Sequence, residues 1–293
     1  MKREVDVKSV RNAATSAALL PDGKHLVCVA GGGVVAWDFA GRVTKTYRKP
    51  TSWGAGALRV TATGRVIAQT ARVIRGWRWK TGKPEVELTP PAGYHHLLSV
   101  SGDGRYALTR SYAPTKNKSF TVWDLERKRE VVAFAEKKSF VIGAALAVDA
   151  SIVVHAGTDG IVRFFDVASG KHFARSPGKG WVDVVERSDD GRLFASGGRG
   201  GVVFLWRPDG SVHRKVRYAT QVAGLTLSPD ARWMVAYGSR GFPVMWDVES
   251  GDQVAVIDVH DKGGVRCVRF SLDSTRLVTV GNDYRVCVSL LRS

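Results

Sequence analysis

The chain has 293 residues and combines 44 Lys and Arg with 27 Asp and Glu, a formal net charge of +17 at pH 7. Apolar residues make up 44% of it, enough to build a hydrophobic core, which excludes a disordered polycation. Its 32 Gly and 10 Pro follow no three-residue period, which excludes collagen. So large a positive charge favours an anionic partner, such as nucleic acid, a membrane surface or an acidic protein.

The cysteines and the apolar runs indicate the compartment. Cys28, Cys267 and Cys287 are too scattered for a disulfide framework, and we interpret them as buried free thiols in the reducing cytoplasm. Residues 1–10 are charged with no apolar stretch behind them, and the longest apolar run, around Phe140–Val154, is interrupted by Asp149. The sequence therefore predicts a cytoplasmic protein with neither a secretory signal nor a membrane-spanning helix.

A short turn recurs seven times along the chain, first as Pro-Asp-Gly-Lys at residues 21–24. The third residues of these turns are at positions 23, 64, 104, 150, 191, 231 and 274, so neighbouring turns are 40 to 46 residues apart. A second marker, aromatic in six repeats and a serine in the last, keeps the same phase: Trp37, Trp77, Trp123, Phe165, Trp206, Trp246 and Ser289. Two markers in phase establish an internal repeat of about 42 residues.

Within each repeat the pattern predicts four short strands. A short apolar stretch such as Val265–Phe270 precedes the turn, and a near-continuous apolar run such as Leu26–Ala30 follows it. A Gly-rich turn then leads to the strand that ends in the aromatic marker, and a further turn opens a fourth strand. β-Branched and aromatic residues dominate these runs, and no window has a clean helical period. Seven repeats of four antiparallel strands predict an all-β radial architecture.

Several motifs carry a family resemblance. The pairs Trp37-Asp38, Trp123-Asp124 and Trp246-Asp247 close third strands and resemble the signature of WD-repeat β-propellers. Residues 159–166 resemble the same third strand with Phe in place of Trp. The resemblance covers essentially the whole chain and implies one seven-bladed propeller domain, residues 1–293. Its blades are approximately residues 11–50, 51–90, 91–136, 137–177, 178–218, 219–258 and 259–293, the last completed by residues 1–10.

The resemblance also implies a buried His–Ser/Thr–Asp–Trp network. It is nearly complete only in the last repeat, where Ser289 takes the Trp position and the other members are His260, Thr279 and Asp283. In the fourth repeat His155 takes the Ser/Thr position opposite Asp159. We interpret His155 and His260 as structural hydrogen-bonding groups, because buried polar side chains need partners.

The two ends of the chain predict how the propeller closes. The last repeat ends after its third strand, at Val286–Leu290, while residues Val5–Val10 precede the first strand of the first repeat. We predict that the N-terminal segment supplies the missing fourth strand of the seventh blade. Closure of this kind removes open sheet edges.

The sequence contains no catalytic constellation. Of seven His only His95 and His96 are adjacent, and no HExxH, CxxC, GxSxG or GxxxxGK[ST] motif is present. The glycine cluster at residues 197–201 lies at a strand-to-strand turn with no helix behind it, which disfavours a phosphate cradle. Propellers host many functions, so the fold assigns none. We predict a non-enzymatic protein without a cofactor or a metal.

The positive charge is predicted to concentrate on one propeller face. In a propeller, one face is lined by two kinds of turn: those between the first and second strands, and those between the third and fourth strands. The turns that we assign to this face carry ten basic and nine acidic residues. The turns between second and third strands and the connections between blades line the other face. These carry fifteen Lys and Arg against five Asp and Glu. An anionic partner is therefore expected on the second face.

Aromatic residues are predicted on the same basic face. Counting back ten residues from the third residue of the turn reaches Tyr94, Phe140 and Trp181 in successive repeats, and Trp53 lies one place earlier in the repeat before them. These rings either contact a partner or pack between blades. Aromatic rings beside Arg and Lys suit protein hot spots and also stacking on unpaired bases.

The leading functional hypothesis is a non-catalytic scaffold, monomeric alone and part of a larger complex, that binds an acidic protein partner. Trp53, Tyr94, Phe140 and Trp181 would anchor that partner. The residues expected to steer and orient it are Lys49, Lys137, Lys138, Lys179 and Arg199. The alternative is nucleic-acid binding through the same face, without membrane insertion in either case.

Overall fold

A computed structural model describes residues 2–7, 14–30, 33–48, 57–70, 72–91, 95–111, 119–135, 140–177, 180–239, 242–260, 264–283 and 285–291. These residues form 28 β-strands and no helix, arranged as seven four-stranded antiparallel sheets. The predicted fold class is confirmed: the protein is an all-β, seven-bladed β-propeller. Among the described residues, nothing forms a helix long and apolar enough to cross a membrane.

The residues group into two compact units. The first, here the terminal unit, contains Met1–Ala92 and Asp258–Ser293. The second, the central unit, contains Gly93–Ile257. Blades 1, 2 and 7 belong to the terminal unit, and blades 3 to 6 belong to the central unit.

The terminal unit has three sheets. Blade 1 consists of β2 (Ala14–Leu19), β3 (His25–Ala30), β4 (Gly33–Asp38) and β5 (Val43–Arg48). Blade 2 consists of β6 (Leu58–Val60), β7 (Arg65–Thr70), β8 (Val73–Arg78) and β9 (Pro84–Leu88). Blade 7 consists of β26 (Val265–Phe270), β27 (Arg276–Gly281), β28 (Val286–Leu290) and the N-terminal strand β1 (Lys2–Val7).

The central unit has four sheets. Blade 3 consists of β10 (His95–Val100), β11 (Tyr106–Ser111), β12 (Phe120–Asp124) and β13 (Arg129–Phe134). Blade 4 consists of β14 (Val141–Leu146), β15 (Ile152–Gly157), β16 (Ile161–Asp166) and β17 (Lys171–Pro177). Blade 5 consists of β18 (Val182–Arg187), β19 (Phe194–Gly198), β20 (Val202–Trp206) and β21 (Val212–Arg217). Blade 6 consists of β22 (Gly224–Leu227), β23 (Trp233–Tyr237), β24 (Val244–Asp247) and β25 (Gln253–Val256).

The second and third strands of each blade form most of the core. All five residues of β12 and of β19 are buried, whereas β25 on the outside of blade 6 is mostly exposed. A strand with neighbouring sheets on both faces has no solvent side, which accounts for the near-continuous apolar runs in the sequence. Within the central unit the largest fully buried side chain is Trp206, the marker of blade 5.

The recurring turn has a specific backbone conformation. Its third residue has a positive φ, between 56° and 79°, in all seven repeats: Gly23, Gly64, Gly104, Ala150, Gly191, Ala231 and Ser274. In four of these turns a serine hydroxyl donates to the aspartate two residues on, with O–O distances of 2.5 to 2.6 Å: Ser101, Ser188, Ser228 and Ser271. The regular spacing in the sequence therefore reflects a repeated left-handed turn that favours Gly and is held by local hydrogen bonds.

The predicted closure by the N-terminal segment is also confirmed. β1 pairs antiparallel with β28, in a register that runs from Lys2 opposite Leu290 to Val7 opposite Val286. The sequence predicts this strand at Val5–Val10, but it lies at Lys2–Val7. Val7 pairs with Val286, the first residue of β28, so the pairing cannot extend beyond Val7. Four antiparallel strands thus complete blade 7, as in the other blades.

Candidate functional site

Two exposed aromatic rings lie at equivalent positions of blades 4 and 5. Phe140 directly precedes β14 and is 57% exposed, and Trp181 directly precedes β18 and is 40% exposed. The backbone carbonyl of Phe140 accepts a hydrogen bond from the Thr158 amide at 3.1 Å, and that of Trp181 accepts one from the Arg199 amide at 2.9 Å. In both blades the turn between the second and third strands therefore holds the residue that carries the ring.

Blades 4 and 5 are in close contact beside these rings. A Cβ at Gly143 of β14 would be 2.8 Å from the Val185 nitrogen and 2.9 Å from the Val184 Cα, so β14 and β18 lie directly against each other. A Cβ at Gly160 would be 2.6 Å from the Gly180 carbonyl oxygen. The turn of blade 4 thus touches the connection into blade 5, and the rings occupy the same side of the central unit on neighbouring blades.

Arg199 places a positive charge on one of these rings. Its guanidinium carbon is 3.7 Å from the centroid of the Trp181 ring, a close cation–π contact. Within the described part of the chain, no carboxylate forms an ion pair with Arg199. We call Phe140, Trp181 and Arg199 together the ring surface.

A buried arginine supports the other ring. Arg110 of β11 is 8% exposed and donates from Nη1 to the Val141 carbonyl at 3.0 Å and to the Ile142 carbonyl at 2.8 Å. Its guanidinium carbon is 5.8 Å from the Phe140 ring centroid. Sequence reasoning missed this residue, although an arginine inside the apolar strand Tyr106–Ser111 signals that a buried partner is required.

Of the nine binding residues predicted from the sequence, the structure places Trp181 and Arg199 in contact, and it places Phe140 at the position in blade 4 that Trp181 has in blade 5. Both Phe140 and Trp181 are partly exposed, which a binding role requires. The other six lie outside the described residues: Trp53, Tyr94, Lys49, Lys137, Lys138 and Lys179.

The buried polar network is best developed in blade 7. Nε2 of His260 is 2.8 Å from the Thr279 hydroxyl, and Nδ1 is 2.9 Å from an Asp283 carboxylate oxygen. The side chain of His260 is 2% exposed. Ser289, in the aromatic position, has a buried hydroxyl with no hydrogen-bond partner among the described residues.

The structure contains two further pairs of this kind that sequence reasoning missed. The Trp123 indole N–H donates to the Thr109 hydroxyl in blade 3, and the Trp206 indole N–H donates to the Ser196 hydroxyl in blade 5, both at 2.8 Å. His95 Nδ1 is also 3.4 Å from the Thr109 hydroxyl. Among the described residues, blades 3 and 5 therefore contain parts of the network that is most complete in blade 7.

In blade 4 the corresponding position has a different arrangement. His155 is 1% exposed, and its Nε2 is 3.0 Å from Nε2 of His172 on β17. Asp159, which the sequence places opposite His155, forms an ion pair with Arg163 at 2.5 Å. Phe165 takes the tryptophan position, so this position has no indole N–H that could donate a hydrogen bond to the His155 imidazole.

This arrangement predicts an acid-sensitive stability. Burial, and then the charges of His172 and Arg163, lower the pKa of His155 from 6.5 to about 3. Between these values the unfolded chain binds a proton that the folded chain excludes, so the free energy of unfolding should fall by up to about 1.4 kcal/mol per pH unit as the pH drops below 6.5. Urea unfolding at several pH values should show a weaker pH dependence for His155→Gln, and equal slopes in both proteins would contradict the prediction.

Two further features of the described residues concern metal-ligating side chains and thiols. No three His, Cys, Asp or Glu side chains among the described residues are grouped so that they could hold a metal ion. Cys28, Cys267 and Cys287 are buried free thiols, and burial raises the pKa of Cys28 to about 12, with a further contribution from Cys267. A protonated, buried thiol is a poor nucleophile.

The blades, turns and polar networks resemble those of WD-repeat propellers, and comparison with known proteins gives a similarity to the same family. Residues 251–288 match the family model described as WD domain, G-beta repeat. This segment contains β26, β27 and most of β28, so the similarity to WD repeats is found in blade 7.

Three curated relatives illustrate the range of this similarity. The chain is 30% identical over 104 residues to the protein LST8 homolog of Drosophila melanogaster, covering 32% of this chain and 33% of the relative. It is 36% identical over 84 residues to the small ribosomal subunit protein RACK1z of Arabidopsis thaliana, covering 28% and 25%. It is 25% identical over 188 residues to the cilia- and flagella-associated protein 52 of Chlamydomonas reinhardtii, covering 61% and 30%. The chain thus spans a quarter to a third of the length of these relatives.

Proposed function

We propose that this protein is a non-catalytic interaction scaffold that binds an acidic protein partner through the ring surface. The single observation that carries the proposal is the pair of exposed rings on neighbouring blades, 57% exposed for Phe140 and 40% for Trp181, with a cation stacked on the second. Aromatic and arginine side chains dominate the binding energy of protein interfaces. Lys49, Lys137, Lys138 and Lys179, with Trp53 and Tyr94, remain partner-binding residues predicted from the sequence alone.

The family similarity supports a role within a complex. One relative is named as a small ribosomal subunit protein. We infer that this chain is monomeric alone, acts in the cytoplasm and uses no cofactor. Its net charge of +17 favours fast association with an acidic partner.

The first test is affinity purification of the tagged protein from cells, compared with the double variant Phe140→Ser/Trp181→Ser. We expect the variant to lose its co-purifying proteins at least about tenfold, because truncating anchor residues costs ~2 kcal/mol or more each. Its free energy of unfolding should fall by no more than about 1 kcal/mol per position, since both changed side chains are partly exposed.

A matched control removes exposed apolar side chains elsewhere in the central unit. Phe173 of β17 and Val254 of β25 are each 48% exposed, and Phe173→Ser/Val254→Ser should retain the partners. Equal loss in both double variants would contradict a specific ring surface. Nuclease treatment completes the test: partners that persist support the scaffold, whereas partners lost with the nucleic acid would favour the nucleic-acid alternative.

A further inference from the structure

The turn that carries Arg199 differs chemically from its counterparts in blades 4 and 7. The amides of Thr158, Arg199 and Asn282 each donate to the carbonyl of the residue just before the first strand of their blade, which identifies them as equivalent positions. In blades 4 and 7 the next residue is an aspartate, and in blade 5 it is Gly200. At this position blade 5 therefore has a positively charged residue, whereas blades 4 and 7 have the neutral Thr158 and Asn282. Blade 5 also lacks the aspartate that follows in blades 4 and 7.

Within the described residues, no acidic side chain compensates the charge of Arg199. Asp159 is bound by Arg163 at 2.5 Å, and Asp283 is bound by His260 at 2.9 Å, so the acids of blades 4 and 7 are used within their own blades. Arg199 has no ion-pair partner among the described residues. An exposed arginine without an internal acid is available to an external one.

The stacking on Trp181 orients the guanidinium. At 3.7 Å from the ring centroid, the guanidinium carbon is in direct contact with the ring, and the side chain is held in place. The N–H groups of a guanidinium lie in its plane. A guanidinium whose face contacts an aromatic ring therefore still presents an edge with two N–H groups to a partner. Such an edge matches a carboxylate in a two-hydrogen-bond pair.

The surrounding backbone leaves room for a polypeptide. Gly180 and Gly200 are exposed and have no side chain, and they flank the ring and the cation in sequence. The Cβ position of Gly180 is 3.7 Å from the Gly200 nitrogen, so the two bare segments lie side by side. A partner chain could approach this backbone closely next to the two rings.

We propose that the Arg199–Trp181 pair selects the partner by binding the carboxylate of an Asp or Glu side chain, while Phe140 contacts an adjacent apolar side chain of the same acidic segment. This inference rests on the proposed function and specifies which partner chemistry the ring surface accepts. A protein segment is favoured because the surface joins a guanidinium edge, which pairs with a carboxylate, to the exposed apolar ring of Phe140.

The test uses the full chain and a fluorescein-labelled poly-L-glutamate of about twenty residues, measured by fluorescence anisotropy. Poly-L-glutamine of equal length and single-stranded poly-uridine RNA serve as comparison probes. We expect Arg199→Gln to weaken poly-glutamate binding about tenfold. Arg199→Lys, which keeps the charge but loses the planar fork, should weaken it about fivefold.

Arg232 provides the matched control. It is an exposed arginine of the central unit whose guanidinium carbon is 4.4 Å from the Trp233 ring centroid, at the turn between the first and second strands of blade 6. Arg232→Gln removes the same charge and the same kind of stacked contact at the opposite end of the strands. Its poly-glutamate affinity should stay within about twofold of the wild type.

Each outcome either supports or overturns the inference. The inference is overturned if the wild type does not bind poly-glutamate, or if Arg199→Gln binds it as tightly as the wild type. It is also overturned if Arg232→Gln loses as much affinity as Arg199→Gln, or if Arg199→Lys binds with full affinity. Tighter binding of poly-uridine that also depends on Arg199 would replace the acidic segment by nucleic acid. If Arg199→Gln keeps its cellular partners while Phe140→Ser/Trp181→Ser loses them, only this inference fails and the proposed function stands.

Discussion

Deletion of residues 1–10 is expected to lower the melting temperature by at least about 10 °C, equivalent to roughly 5 kcal/mol of unfolding free energy. The deletion removes β1, whose backbone pairs with β28 from Lys2 to Val7. It leaves β28 as an unpaired edge, although Val286, Cys287 and Val288 are fully buried in the intact protein. Differential scanning fluorimetry of the two proteins measures the difference.

Complementation in trans is the control for this deletion. A synthetic peptide of residues 1–10 should restore most of the lost stability when added in excess, because it can pair with the same edge. A scrambled peptide of identical composition should not, since the register of β1 on β28 includes an irregularity between Arg3 and Val5 that a scrambled order does not preserve. An unchanged melting temperature in the truncated protein would contradict the closure of blade 7 by β1.

Gly198→Ala is expected to destabilise the protein by about 3 kcal/mol or more. A Cβ at Gly198 would overlap the Trp181 carbonyl oxygen and would be 2.8 Å from both the Asp183 nitrogen and the Val182 Cα. These are backbone atoms, so β18 and β19 would have to separate. Because Gly198 ends β19 and Trp181 directly precedes β18, the change should also weaken partner binding. Urea unfolding and the purification assay measure the two effects.

Gly170→Ala separates this clash from a general effect of replacing glycine. Gly170 has a φ of +69°, but a Cβ there would meet nothing within 4 Å. Alanine at this site should cost only about 1 kcal/mol of backbone strain and leave partner binding intact. Similar losses of stability in the two variants would refute the steric explanation for Gly198.

The architecture could be predicted because its signals are local and repeated. The turn residues at positions 23 to 274 need a left-handed conformation, and Gly, or Ala and Ser in three cases, recurs there at the blade period. Trp206, the aromatic residue at the end of a third strand, is fully buried, as expected for an aromatic side chain at that recurring position. Periodicity also placed Phe140 and Trp181 at equivalent positions, since both occur ten residues before the turn residue.

The contacts of the site could not be predicted, because they depend on pairs distant in sequence. Arg199 stacks on Trp181, which lies in a different connection of the same blade, and Arg110 reaches Phe140 from another blade. The pairing of His155 with His172 depends on the register of β15, β16 and β17. A one-residue shift in such a register would turn each side chain to the opposite face.

The pairing of β1 with β28 also sets a timescale for biosynthesis. Val7 is paired with Val286, about 280 residues later in the chain. At ~5–20 residues per second, the ribosome makes β1 roughly 15 to 60 s before its partner strand exists. During this interval β1 of the nascent chain has no partner strand. Mutations in β1 should therefore reduce the yield of newly made protein more strongly than they affect the purified protein, and chaperones that hold nascent chains should reduce the loss.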